Sequence, residues 1–333
     1  MPMKPAAPVT RTFKGASRSE EERGIAAATI LAHPVWPAVV VARLNRRFRR
    51  LPHGRRGIDV SHDANGPDLT STSAMPPSTL HRPLQPTELF GVRVDVGDTG
   101  SAVEAICERG ACRQGGLVCV ANVDMLTRAK RTPQLAALMR GAVAVVTDGM
   151  PLVWALKRLR QHAEASRVYG PGLVLAVCEA AAKRGLSVFL YGGTPDELTL
   201  MQARLLQRIP ALKIAGAVSP PMLPAEPAFD QEITDTINRS GAAVVFVGLG
   251  CPKQEFWMDA HQRQLKPVSI GVGLAFALIA GTKSQAPRWM RDHGLEWLYR
   301  LCQEPGRLWR RYLVGNTLFI GYVLRDLMRP AGR

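Results

Sequence analysis

Five short apolar runs constrain what this chain can fold into more than any other feature. They are residues 116–121 (GLVCVA), 142–147 (AVAVVT), 186–191 (LSVFLY), 242–247 (AAVVFV) and 268–273 (VSIGVG). Each is apolar nearly throughout rather than at alternate positions, so a strand made from it has no face suited to water. Between them lie segments with helical character, over 101–114, 151–161, 172–184, 195–208, 230–239 and 252–264. Doubly buried strands alternating with helices predict a parallel sheet covered on either side. The expected class is α/β, a Rossmann-like doubly wound parallel sheet.

The pattern starts near Leu89 and stops after Gly281. Residues 286–325 are rich in Trp and Arg and helical in character, and Pro305 predicts a break or a fresh helix among them. The chain thus divides into a leader over 1–85, an α/β core over 86–283 and a C-terminal helical appendage over 284–333. The leader is rich in Pro, Ser, Thr and Arg, with thirteen Lys and Arg against six Asp and Glu and five arginines between Arg43 and Arg50. That composition predicts disorder. It reads either as a tail without function or as a basic arm on anionic lipid.

Charge narrows the partners. The whole chain carries a formal +16, which implies nucleic acid, an anionic membrane surface or a phosphate-bearing substrate. No nucleic-acid reading motif accompanies the charge, so no specific nucleic-acid partner is expected. The apolar segment 25–42 is broken by Pro34 and Pro37, and no uninterrupted run of about 18 apolar residues occurs elsewhere, so no spanning helix is expected. The six cysteines form no CxxC pair and mostly sit in apolar stretches, as core thiols of a reducing compartment do.

Ligands of an open parallel sheet sit beyond the carboxyl ends of its strands, so polar residues there are the site candidates. Asp148 follows the 142–147 run directly, with Gly149 permitting a turn and Pro151 suited to a first helical turn. It reads as a ligand-facing carboxylate or as the N-cap of the next helix. Asn122 ends the 116–121 run, where an amide suits a sugar hydroxyl or the turn backbone, and Asp124 reads as a helix cap. Gly192 and Gly193 precede a helix, where backbone N–H groups can approach a phosphate.

The segment 248–255 (GLGCPKQE) offers a turn at Gly250, a helix start at Pro252, Lys253 for a diphosphate, and Gln254 and Glu255 as hydrogen-bonding groups. In the appendage stand Arg288, Arg291, Arg300, Arg307, Arg310 and Arg311, whose guanidinium forks suit diphosphates or a solvated basic face. Trp289, Trp297, Tyr299, Trp309 and Tyr312 interleave with them, suited to burial or to a lipid interface. There is no DxD motif, no His/Cys cluster with zinc spacing and no GxSxG. Neither a metal nor a cofactor is expected.

Several stretches carry a family resemblance: VVTDGMPLVWALK, RVYGPGLV, VFLYGGTPDEL, VFVGLGCPKQEFWM and APRWMRDHGLEWLYRLCQEPGRLWRRYLVGN. From about Leu89 to Leu327 the chain resembles the bacterial WecG/TagA/CpsF glycosyltransferases. The resemblance implies a metal-independent, inverting transferase that takes a UDP-sugar as substrate. The acceptor it implies is an undecaprenyl-diphosphate-linked sugar, in teichoic acid, enterobacterial common antigen or exopolysaccharide synthesis. By position it makes Asp148 the base, Asn122 a sugar ligand and Gln254 a neighbour of the donor. It puts Arg300, Arg307 and Arg310, with Arg311 alongside, at the diphosphates. It further implies a peripheral protein on the cytoplasmic face of the cell membrane and a homo-oligomer that hides the appendage.

Three positions depart from the family pattern. Val120 stands where Thr is common, Ala277 follows Phe276 where Asp is usual, and Ser219-Pro220-Pro221 replaces Gly-Tyr-Phe. The last is similar to the exopolysaccharide branch, some of whose members transfer glucose, so the implied donor is of N-acetylmannosamine type or glucose. Ala277 is the feature behind the alternative expectation, a catalytically silent scaffold that binds nucleotide sugar or lipid.

Overall fold

The structure, a computed structural model, describes residues 82–328. The arginine run 43–50 and the apolar segment 25–42 lie outside the described residues. Six parallel strands form the sheet: β3 (Leu117–Ala121), β4 (Ala144–Thr147), β5 (Ser187–Gly192), β6 (Lys213–Val218), β7 (Val244–Gly248) and β8 (Val268–Gly271). Their order is β4-β3-β8-β7-β5-β6, and every pairing is parallel.

Strand side chains divide by parity. Val118, Val120, Val146, Val188, Leu190, Val244 and Phe246 enter one core with α1 (Thr99–Ala111), α5 (Gly170–Lys183), α6 (Pro195–Arg208) and α9 (Ala275–Ala280). Leu117, Cys119, Val145, Phe189, Tyr191, Val245 and Val247 enter the other. That second core is completed by α2 (Val123–Ala129), α3 (Pro133–Gly141), α4 (Met150–Leu159), α7 (Gln231–Arg239) and α8 (Lys253–His261). Both faces are covered by packed side chains, as the apolar runs require.

One strand of this sheet, and both strands of a separate hairpin, escaped the sequence reading. β6 (KIAGAV) is only half-buried at the sheet edge. Its Gly216 lies under the Phe189 ring, where a Cβ would stand 2.4 Å from Phe189 Cε2. A glycine required by packing erases the β-branched signature that marks the other strands.

The opposite edge is guarded. β1 (Gln85–Leu89) and β2 (Val92–Val96) form an antiparallel hairpin through Phe90 and Gly91, at φ 57° and 77°. Two positive φ values match a two-residue turn that follows the strand twist. From β2, the buried Asp95 accepts the Val145 N–H of edge strand β4 at 2.7 Å and pairs with Arg93 at 3.0 Å. Arg93 in turn donates to the Ala142 and Arg140 carbonyls at 2.7 and 2.9 Å. Side chains thus take the edge hydrogen bonds that another chain would otherwise find.

The appendage comprises α10 (Arg288–Asp292), α11 (Glu296–Gln303) and α12 (Pro305–Leu327), with Pro305 opening the last helix as its sequence suggested. α12 docks on the second core through Phe319, which meets the Phe90 ring edge-on at 5.6 Å, and through an Arg160–Asp326 pair at 2.6 Å. Its other side leaves Trp309, Leu313, Ile320, Leu324 and Leu327 exposed, at steps of three, four and seven that share one helical stripe. Among the described residues no helix is long and apolar enough to cross a membrane.

The Asp95 clamp generates a prediction. Replacing Asp95 by Ala strands both the Val145 N–H and a mostly buried Arg93, so stability should fall by about 3 kcal/mol. Urea unfolding of the two proteins measures this, and Asp95→Asn, which keeps an acceptor, should lose less.

Candidate active site

β3 and β8 are neighbours, yet the helices that follow them lie on opposite faces: α2 in the second core, α9 in the first. Such a divergence opens a crevice at the strand ends. A cleft with about 870 Å3 of open space, solvent at its mouth included, lies there. Its floor includes Asn122 after β3, Asp148 after β4, Gly250, Cys251 and Gln254 after β7, and Gly273 after β8. Glu296, Arg300, Arg307 and Arg311 line it from the appendage, with Lys283 from the segment before it.

Asp148 is not a helix cap, since Gly149 occupies the N-cap of α4. Its carboxylate is held by Arg167, whose Nε and Nη2 reach Oδ1 at 3.2 and 3.1 Å while Nε also donates to the Asp148 carbonyl. The same Nη2 donates to Glu296 Oε2 at 2.6 Å. Arg167 also lies over the Tyr169 ring, 4.5 Å from its centroid. Burial raises the Asp148 carboxyl above the usual carboxylate range; Arg167 opposes this and the Glu296 charge adds to it. For Arg167 burial works against the charge, but Asp148 and Glu296 outweigh it and keep the guanidinium protonated.

Asn122 is itself the N-cap of α2, its Oδ1 accepting the Met125 N–H at 3.1 Å, and it also lines the cleft. The cap expected at Asp124 therefore falls two residues earlier. Asp124 instead pairs with Arg128 at 3.0 Å and with Arg311 at 2.8 Å.

Gln254 is nearly buried yet lines the cleft. Its Oε1 accepts the Gly250 N–H at 3.1 Å and its Nε2 donates to Glu255 Oε1 at 2.8 Å. A Cβ at Gly271 would stand 2.8 Å from that Nε2, so glycine there admits the amide. Glu255 is fully buried behind it, with Oε2 lacking a hydrogen-bond partner. Burial pushes its carboxyl up to about 7, against hydrogen bonds from Gln254, its own backbone and Cys251 and the charge of Arg311.

Other expected site residues lie elsewhere. The Lys253 ammonium donates to the Leu223 carbonyl at 2.6 Å and does not line the cleft. Gly192 packs on β7, where a Cβ would meet the Gly248 carbonyl at 2.6 Å. The Gly193 N–H is taken by Gly248 O at 3.2 Å, and the next N–H, of Thr194, by Glu197 in a capping box. These amides are occupied within the protein. Arg310 is exposed, its guanidinium 5.2 Å from the Trp309 centroid, whereas Arg307 and Lys283 share the Glu304 carboxylate at the cleft.

Of the departures noted in the sequence, Val120 lines the cleft, whereas buried Ala277 does not. Ser219 donates to the Gly193 carbonyl at 2.7 Å. All six cysteines are free; Cys107, Cys119 and Cys178 are buried, Cys112 and Cys302 are exposed, and Cys251 lies at the cleft.

Sequence reasoning missed Arg167, Glu296 and Lys283. Arg167 stood inside RVYGPGLV and Glu296 inside the tryptophan-rich stretch, but nothing local marked an ion pair across 129 positions. The family model described as "Glycosyl transferase WecG/TagA/CpsF family" matches residues 87–333.

Glu255 generates the prediction here. Its folded value of about 7 lies above the ordinary 4.5, so the fold favours the protonated form. That contribution is complete below about pH 4.5 and is lost as pH rises through 7. Glu255→Gln should therefore unfold like the parent at pH 4.5 and be more stable at pH 8.5 by up to about 3 kcal/mol. Denaturant midpoints at the two pH values test it.

Proposed function

The chain belongs to the WecG/TagA/CpsF glycosyltransferase family, and on that premise we propose that it moves a hexose from a UDP-sugar to a polyprenyl-diphosphate-linked acceptor. The donor sugar is of the N-acetylmannosamine type or glucose, and the setting is cell-surface polysaccharide synthesis on the cytoplasmic face of the membrane. One observation carries the reading: Asp148, oriented by Arg167, faces a cleft also lined by Arg300, Arg307 and Arg311. That pairs a proton acceptor with cations suited to a diphosphate.

In this mechanism the deprotonated Asp148 takes the proton of the acceptor hydroxyl as its oxygen forms a bond to the anomeric carbon. The bond from that carbon to UDP breaks on the opposite side, so the configuration inverts. The electron pair leaves with the diphosphate of UDP, whose growing charge Arg300 and Arg311 neutralise, while Arg307 meets the diphosphate of the acceptor. Asn122 and Gln254, both at the cleft, are suited to sugar hydroxyls. Metal independence belongs to this reading, with arginine charge in the role a cation would have.

The core over 86–283 would then supply the donor site, and the appendage over 284–333 the acceptor side and the membrane contact. The exposed stripe from Trp309 to Leu327 supports that contact. Amphipathic faces of this kind bind at the headgroup boundary, with basic residues drawn to anionic lipid.

Three outcomes test the proposal. Turnover with one of a panel of UDP-sugars (glucose, N-acetylglucosamine, N-acetylmannosamine and its uronic acid) on a short-chain prenyl-diphosphate sugar, in EDTA, is expected. UDP binding without turnover on any donor would favour a silent scaffold. Asp148→Asn should lower turnover by roughly 10²- to 10⁴-fold while calorimetry finds UDP-sugar binding retained; full activity would remove Asp148 from the mechanism. Arg307→Ala should weaken use of the diphosphate acceptor but spare a soluble acceptor lacking diphosphate, and an equal loss on both would refute its assignment.

A further inference from the structure

Arg167 is an unusual holder for a base. A guanidinium committed to one carboxylate stabilises its charged form and so makes it a poor proton acceptor. Here the nitrogen that reaches Asp148 Oδ1 at 3.1 Å also donates to Glu296 Oε2 at 2.6 Å. Two carboxylates divide one positive charge, and all three side chains are mostly shielded from solvent. Glu296 belongs to α11, so half of this arrangement comes from the appendage.

The remaining contacts of Arg167 lead the same way. Its Nη1 points to the Arg291 carbonyl in α10 at 3.4 Å. The Tyr169 ring beneath it also lies 5.5 Å from the Arg291 guanidinium, and its hydroxyl accepts from Gln285 Nε2 at 2.8 Å. The segment from Gln285 to Glu296 therefore surrounds the one cation that orients Asp148.

We propose that Glu296 is a positioning residue: by sharing Arg167 with Asp148, it makes the readiness of Asp148 to accept a proton depend on the docked appendage. The inference rests on Asp148 being the base. With Glu296 in place, Arg167 fixes the direction of the carboxylate while part of its charge is answered elsewhere. Without it, Arg167 pairs with Asp148 alone, and Asp148 becomes better ordered electrostatically but less basic.

The groups facing Asp148 are few. Arg167 and the Gly170 N–H favour its charged form, whereas Glu296 and burial oppose it. Tyr169 lies alongside with its hydroxyl raised by burial and by Glu296, so it stays neutral across the working range. Glu296 is the negative charge in this set that a single isosteric change removes.

Glu296→Gln keeps an acceptor for Arg167 and discards the charge. The acid limb of the kcat/KM profile should move to lower pH, and the alkaline plateau should fall by up to about tenfold as the base weakens. Carbon-13 NMR of labelled aspartates in the full chain, without substrate, should find the Asp148 titration displaced in the same direction. Glu296→Asp, which retains the charge one methylene further back, should move both readouts less and guards against poor folding of the Gln variant.

A purely structural role would lower the rate with the acid limb and the NMR titration unmoved, and that result overturns the inference. Failure of the underlying reading looks different: Asp148→Asn would remain active, whatever Glu296→Gln did.

Discussion

A parallel sheet buried on both faces leaves polar chemistry one place to go. Its strand interiors are filled almost entirely by apolar side chains, buried Ser269 and Thr147 aside, and its ladder uses the backbone groups, so ligand-facing residues must hang from the turns at the carboxyl ends. The cleft follows that constraint closely: Asn122, Asp148, Gly250 and Gly273 each stand just beyond a strand. The same constraint leaves one side of the crevice open. Glu296, Arg300, Arg307 and Arg311 line it from the appendage, which packs on the second hydrophobic cluster through α12 and pairs with the core at Arg160, Arg167 and Asp124.

Much of the charge at the cleft is matched internally. Arg167 answers Asp148 and Glu296, Arg311 answers Asp124, and Glu304 joins Lys283 to Arg307. On the proposed reading, a diphosphate entering this site would exchange with the carboxylates held by Arg307 and Arg311. On that reading selectivity would follow from the exchange, because a weak or singly charged anion gives back less than the resident carboxylates hold. Where Glu304 holds both Lys283 and Arg307, displacing one carboxylate frees two cations together.

How much of this was legible in the sequence depended on range. The strands β3, β4, β5, β7 and β8 announced themselves because double burial writes a continuous apolar run. β6 did not, since an edge position with Gly216 beneath Phe189 needs neither branching nor full apolarity. Asp148 was legible only as one of two readings, ligand-facing carboxylate or N-cap, and the structure gives the cap to Gly149. Lys253 and the Gly192-Gly193 pair were legible as motifs, but the structure uses them for packing and backbone bonds. Arg167 and Glu296 were illegible for a different reason: they matter through one another, and separation along the chain hides that.

The close approach of β5 to β7 has a consequence for inheritance. A side chain on Gly192 would strike Gly248, and one on Gly248 would strike the Phe276 ring at 2.8 Å, which also stands 3.2 Å from a Cβ on Gly193. These four positions form a closed set in which no member can enlarge alone. At Gly248 a lineage can leave this state only by trimming the aromatic ring first and accepting a void until a second change fills it, whereas Gly192 is barred by the Gly248 backbone whatever the ring. Drift where β5 meets β7 and α9 should therefore proceed in paired steps, and recombination between distant relatives should fail most often where a crossover separates 248 from 276.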